Sequence, residues 1–215
     1  MKKIYLLLFF IFLTITSYSQ YSVRAGLGIE FKSIPSFYNY INQNFIAPNE
    51  ELKSFNSAIN FAFEIDKSLS DNFDLGIEIG YDLYSYNYNF NLGQYNISVN
   101  NFMPSVLAYH VINGDRYQFK LGGGAGIRFI NVDEQLPGTP TADSYNATGF
   151  GFILRGIGNT QIGKDIFANI TADIKYDKVG EVSNGNKKLY NNGSNENVNF
   201  NSFSVGIMLG ITYLF

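Results

Sequence analysis

The stretch Ser202-Phe203-Ser204-Val205-Gly206-Ile207-Met208-Leu209-Gly210-Ile211-Thr212-Tyr213-Leu214-Phe215 decides how this chain is read. Phe203, Val205, Ile207, Leu209, Ile211, Tyr213 and Phe215 share one parity. Ser202, Ser204, Gly206, Met208, Gly210 and Thr212 share the other. A strand sends successive side chains to opposite faces, so this period of two marks a strand with one apolar face.

The same period recurs toward the N-terminus. Tyr21, Val23, Ala25, Leu27, Ile29 and Phe31 oppose Ser22, Arg24, Gly26, Gly28 and Glu30. Ile59, Phe61, Phe63 and Ile65 oppose Asn60, Ala62, Glu64 and Asp66. Phe73, Leu75, Ile77, Ile79 and Tyr81 oppose Asp74, Gly76, Glu78, Gly80 and Asp82. Tyr117, Phe119, Leu121, Ala125, Ile127 and Phe129 oppose Gln118, Lys120, Gly122, Gly124, Gly126 and Arg128. Ile166, Ala168, Ile170, Ala172, Ile174 and Tyr176 oppose Asn169, Thr171, Asp173 and Lys175. Segments near 97–111 and 147–157 alternate less cleanly. In the first, Met103, Leu107, Tyr109 and Val111 compete with Phe102, Val106 and Ala108 for the outward face. In the second, Phe150, Phe152 and Leu154 oppose Gly151 and Arg155. No segment offers a competing 3.6-residue stripe, so the chain predicts eight strands and one domain.

The connections alternate in length. Short ones fall at 68–72, at Asn113-Gly114-Asp115, a tight-turn signal, and at 159–164. Long ones fall at 33–55, 86–96, 132–146 and 178–199, and the Asn-rich part of the last reads as a flexible, polar, exposed loop. An even strand number with short turns at one end and long loops at the other is the layout of a membrane barrel. The predicted fold is therefore all-β: an eight-stranded antiparallel up-and-down transmembrane β-barrel, with both termini on the periplasmic side.

Three features turn the apolar face outward. Glycine gathers on the polar faces, where a narrow barrel interior needs room. Aromatic residues gather at both ends of the apolar faces: Tyr21, Phe73, Tyr117, Tyr213 and Phe215 at one end, Phe31, Tyr81, Phe129, Tyr176 and Phe203 at the other. That is the pattern of two membrane interfaces. The polar faces carry both signs of charge, predicting a lumen network of Arg24, Glu30, Glu64, Glu78, Asp82, Lys120, Arg128, Arg155, Asp173 and Lys175. Buried charge must be paired, so this interior reads as plugged.

Residues 1–19 read as a cleaved signal peptide: Lys2 and Lys3, an apolar run from Ile4 to Leu13, then Ser17-Tyr18-Ser19. Residues 20–215 form the barrel domain. There is no Cys, which excludes a disulfide scaffold or a thiolate metal site. The formal charge of −3 lacks the basic field of a nucleic-acid binder.

The run Ile207-Met208-Leu209-Gly210-Ile211-Thr212-Tyr213-Leu214-Phe215, with the signal segment and eight alternating strands, resembles the small bacterial outer-membrane β-barrel proteins. These include the OmpA-like and OmpX-like barrels and the outer membrane protein beta-barrel domain proteins of Bacteroidetes. The resemblance covers nearly the whole mature chain. It implies residence in the bacterial outer membrane, lipid neighbours, a monomer, and contact with the barrel-assembly machinery, for which Leu209, Ile211, Tyr213 and Phe215 resemble the terminal signal. The cell-wall role of a separate peptidoglycan-binding domain is not carried over.

Little in the sequence points to catalysis. His110, the single histidine, precedes the Asn113-Gly114 turn and is placed at the periplasmic rim. The lipid A enzymes that such barrels resemble, PagL-like deacylases and PagP-like acyltransferases, use a His near the outer leaflet. The run Gly122-Gly123-Gly124-Ala125-Gly126 lacks the Lys-Ser/Thr of a phosphate loop and reads as lumen-facing or bulge glycine. Glu50-Glu51 and Asp133-Glu134 read as solvated loop charges. The expectation is a barrel with a structural or surface-interaction role through its loops. It has no catalytic, cofactor or metal residues. A narrow pore for ions or small solutes is the alternative, and a lipid A-modifying enzyme a third.

Overall fold

A computed structural model describes residues 21–46, 56–90 and 93–215. The predicted signal segment and Glu50-Glu51 lie outside these residues. Long antiparallel strands run β1 (Tyr21–Ser33), β2 (Asn56–Ser70), β3 (Phe73–Phe90), β4 (Gly93–Asn113), β5 (Tyr117–Gln135), β6 (Asp143–Gln161) and β7 (Ile166–Lys178), and the last is β12 (Ser202–Leu214). Each pairs with its sequence neighbours, and β1 pairs with β12 from Ser22↔Leu214 to Ser33↔Phe203, closing an eight-stranded barrel. Closure leaves no sheet edge, so the backbone can cross a bilayer with its polar groups paired. Tyr21 and Phe215 exchange backbone hydrogen bonds at one end, which the three short turns share and which is termed here the terminus end.

The apolar rows point outward. Leu27, Ile77, Leu154, Ile170, Ile207 and Leu209 are each more than half exposed, and aromatics flank them at both ends. From Tyr21 to Phe31 is ten residues; at about 3.3 Å each and a tilt near 40°, they rise roughly 25 Å, the height of an apolar membrane band. The inverse holds inside, where Arg24, Glu64, Arg128 and Asp82 are at most 2% exposed.

Strands four and six resolve cleanly. Phe102, Val106 and Ala108 face out, while Met103, Leu107, Tyr109 and Val111 face the bore. There Leu107, Tyr109 and Val111 pack with Ile153 and Ile157 of β6. The alternation was ambiguous because both faces of this sector are apolar.

Three expectations need correction. A helix does form: α1 (Pro35–Phe45). Pro35 suits a first turn, and Phe37, Tyr38, Tyr40 and Ile41 are buried on one side. The buried Phe37, Tyr38, Tyr40 and Ile41 crowd into five residues, too short a run to show a helical period in the sequence. Second, much of 86–96 and 132–146 is not loop; β3–β4 and β5–β6 continue as paired walls beyond the aromatic ends, to Phe90↔Gly93 and Glu134↔Asp143. Third, the Asn-rich segment is folded. It carries short strands β8 (Ser183–Asn184), β9 (Lys187–Lys188), β10 (Tyr190–Asn191) and β11 (Glu196–Asn197), and buries Leu189, Val198 and Phe200. Helix, walls and this segment share one apolar cluster, with Phe37 set 5.5 Å from Phe200 and 6.5 Å from Tyr84. It forms a cap over the barrel end opposite the termini.

Candidate functional site

Ionic side chains fill the bore in three tiers. At the terminus end Lys120 Nζ sits 2.8 Å from Asp66 and 2.7 Å from Asp74, and Ser22 Oγ donates to Asp66. In the middle, Arg24 and Arg155 each bind both Glu64 and Glu78, which are cross-strand partners, and Arg155 grips Asp173 at 2.7 and 2.8 Å. Nearer the cap, Lys32 meets Asp82 at 2.5 Å and Glu30 at 3.2 Å, Lys175 meets Glu30 at 2.5 Å, and Arg128 meets Asp177 at 2.5 Å.

All ten lumen residues named from sequence face the bore, in these tiers. Asp66 and Asp74, placed on the polar rows but not in the network, join them, as do Lys32 and Asp177, which were not named. Their signal was parity alone: Lys32 extends the row of Arg24 and Glu30, and Asp177 the row of Asp173 and Lys175. Glycine supplies the room. A Cβ on Gly151 would strike Arg128 and Asp177, and one on Gly76 would strike Asp66. Gly122, Gly124 and Gly126 lie on the bore side in a β4–β5 register that does not shift, so they are not a bulge. Desolvating this many charges costs several kcal/mol each unless partners are held in place, which the tiers do.

Below the lowest tier the bore opens into a vestibule of about 690 Å³, lined among others by Asp71, Asp74, Asp115, Arg116, Gln118 and Lys164. Above the upper tier the cap begins. Its polar centre is Glu134, which accepts from Tyr40 Oη at 2.5 Å and Tyr95 Oη at 2.9 Å. Glu134 was expected to be a solvated loop charge. It is 3% exposed, five residues past the outward Phe129 and so outside the membrane-spanning part of β5. Burial raises its carboxyl above the ordinary range, against the lowering pull of the two tyrosine hydroxyls. Burial and the neighbouring carboxylate push both hydroxyls far up as well.

His110 stands on the outer face near the terminus end, registered against Phe73 and Leu121. Tyr213, Ile211 and Leu209 lie in the exposed outer row of β12, and Phe215, one residue past the strand, continues it. Among the described residues no group of three His, Cys, Asp or Glu is arranged around a metal position.

No protein-family description matches the chain, and no curated protein is similar to it in sequence. Solved structures are similar in shape. A major outer membrane protein of Thermus thermophilus superposes with a TM-score of 0.56 at 13% identity, over 93% of this chain and 100% of that one. Ail, the attachment invasion locus protein of Yersinia pestis, in complex with a heparin analogue, gives 0.53 at 10%, over 93% and 100%. Neisserial surface protein A gives 0.50 at 11%, over 91% and 97%. The chain thus has the fold of the small outer-membrane β-barrels, in agreement with its outward apolar band.

Proposed function

We propose that this protein is an integral barrel of the bacterial outer membrane, of the OmpA-like and OmpX-like kind, that presents a folded cap as an interaction surface. The termini face the periplasm and the cap faces outward. Phe215, Tyr213, Ile211 and Leu209 serve as the assembly signal, and the barrel works as a monomer without enzymatic chemistry. The observation that carries this reading is closure in series: three ionic tiers inside and an apolar cluster over the mouth. An ion crossing it would have to break paired charges and then pass a greasy lid. Ail, a barrel of this fold, has been seen in complex with a heparin analogue, so a barrel of this architecture can bind a ligand.

The test is electrical. Purified protein in planar bilayers is expected to insert without discrete conductance steps. Reproducible steps would replace the scaffold with the second reading, a narrow pore. Two observations favour that reading: the vestibule, and the orphaned buried polar atoms of Asn60 and Asn101, which mark places for water along the bore. An acyl change in lipid A that disappears in His110→Ala would instead revive the enzyme.

A further inference from the structure

We infer that the cleft between the start of α1 and the segment 191–201 is a binding site for a neutral saccharide; this rests on the reading of the cap as an interaction surface. The cleft has a volume of about 340 Å³, at the small end of the range of small-molecule sites, roughly 300–1,000 Å³. Its lining is Pro35 and otherwise polar, including Ser36, Asn39, Glu196, Asn199 and Asn201. The walls are pinned from behind. Asn201 Oδ1 accepts from the backbone N–H groups of Val179 and Gly180 at 3.0 and 3.2 Å. Asn199 Oδ1 accepts from the N–H of Asn201 at 3.2 Å, and Ser36 Oγ accepts from the N–H of Asn199 at 3.0 Å.

With these oxygens engaged, the amide NH₂ groups of Asn199 and Asn201 keep two donors each for a ligand. The first turn of α1 adds more. Its N-cap is Ile34, with no side-chain cap, and Pro35 carries no N–H, so the N–H groups of Ser36 and Phe37 have no acceptor within the helix. Opposite them, Glu196 is the acceptor and the single charged group of the lining. A phosphate or sulfate would meet that carboxylate as a like charge. A peptide would find no apolar pocket for a side chain. A pair of neighbouring sugar hydroxyls fits both sides, since one hydroxyl accepts from an amide while the next donates to the carboxylate. A rigid rim lowers the ordering cost of binding.

The experiment is calorimetric titration of the full-length barrel in detergent with maltotriose, mannotriose, cellotriose and tri-N-acetylchitotriose, with a heparin disaccharide as anionic comparison. At least one neutral trisaccharide is expected to saturate a single site. Asn39→Ala should weaken it about fivefold, the loss of one neutral hydrogen bond, and Glu196→Gln about tenfold, the loss of a charged one. Amide exchange over α1 should stay as in the unsubstituted protein, so that the loss belongs to the site. No neutral binding at about 10 mM sugar, binding indifferent to both substitutions, or preference for the heparin disaccharide would each overturn the inference. Conductance on the same preparation separates the two readings: a silent barrel that ignores sugar removes only the saccharide site, and a conducting barrel that binds sugar removes only the closed scaffold.

Discussion

Arg155 shows at single-residue scale what this barrel requires. Its guanidinium reaches Glu64, Glu78 and Asp173 on two sides of the bore. Arg155→Met leaves three carboxylates short of a partner, and removing one member of such a network costs about 3–5 kcal/mol. Urea unfolding of the variant in detergent should show that loss; an unchanged midpoint would mean the tiers are not closed as described. Glycine is bound to the same geometry. A Cβ at Gly124 would collide with the carbonyl of Val106, so the position admits no side chain without moving β4. Glu134 is the residue with a pH signature. Burial raises its carboxyl in the folded cap, so the folded cap holds the proton more firmly than the open chain does. Its contribution is therefore full in acid, and is lost as pH climbs from about 4.3, the ordinary value, through the raised one. Tyr40, Tyr95, Tyr145, Lys187 and Asp143 share its surroundings. Amide exchange over α1, corrected for intrinsic rate, should accelerate with pH more in the native protein than in Glu134→Gln. Equal slopes would sever the carboxyl from the cap.

Among the elements, α1 has no stability of its own, because eleven residues are too few for an isolated helix in water. It is held by Phe37 and Ile41 against Tyr84, Phe200 and their neighbours. Phe37→Ala should cost the cap about 3–5 kcal/mol while leaving the barrel strands intact. Fast exchange confined to the cap, with the heat-dependent gel shift of a folded barrel retained, is the expected pair of results. Loss of both together would make cap and barrel one cooperative unit. This element also marks where sequence ceased to be informative. Strand parity is enforced where hydrocarbon lies on one side and a charged, crowded bore on the other, so it was legible in β1, β2, β3, β5, β7 and β12 and gave ten charged positions in the bore, and it blurred in β4 and β6, whose bore faces are apolar in part. The cap has no such regular boundary. Phe37, Tyr84, Tyr95 and Phe200 are brought together from α1, the β3–β4 wall and the segment before β12, and nothing local distinguishes an aromatic in a folded loop from one in a solvated loop. Lys32 and Asp177 were missed for a related reason, since they sit where strand passes into cap. The saccharide cleft, made from α1 and the segment before β12, was invisible for the same cause.

At the scale of the whole molecule the structure inverts a soluble protein: charges inside, aliphatic side chains outside. That inversion is stable only where the outer surface meets hydrocarbon, because the exposed rows of Leu27, Ile77, Leu154 and Leu209 form a continuous apolar band far larger than soluble proteins tolerate. The interior supports it, since Met208, beside Leu209 in sequence, fills bore space opened by Gly28 and has no access to solvent. Leu209 lies midway along β12, outward, and 65% exposed. In water an arginine there would be harmless or would aid solubility. At the bilayer midplane it costs about 2–4 kcal/mol, and the same change near an interface costs only about 0–1. Leu209→Arg and Phe203→Arg, compared by urea unfolding in phospholipid vesicles, should therefore separate sharply, with the first far less stable than the second. If the two behave alike, or if Leu209→Arg folds better without lipid, the apolar band does not face hydrocarbon.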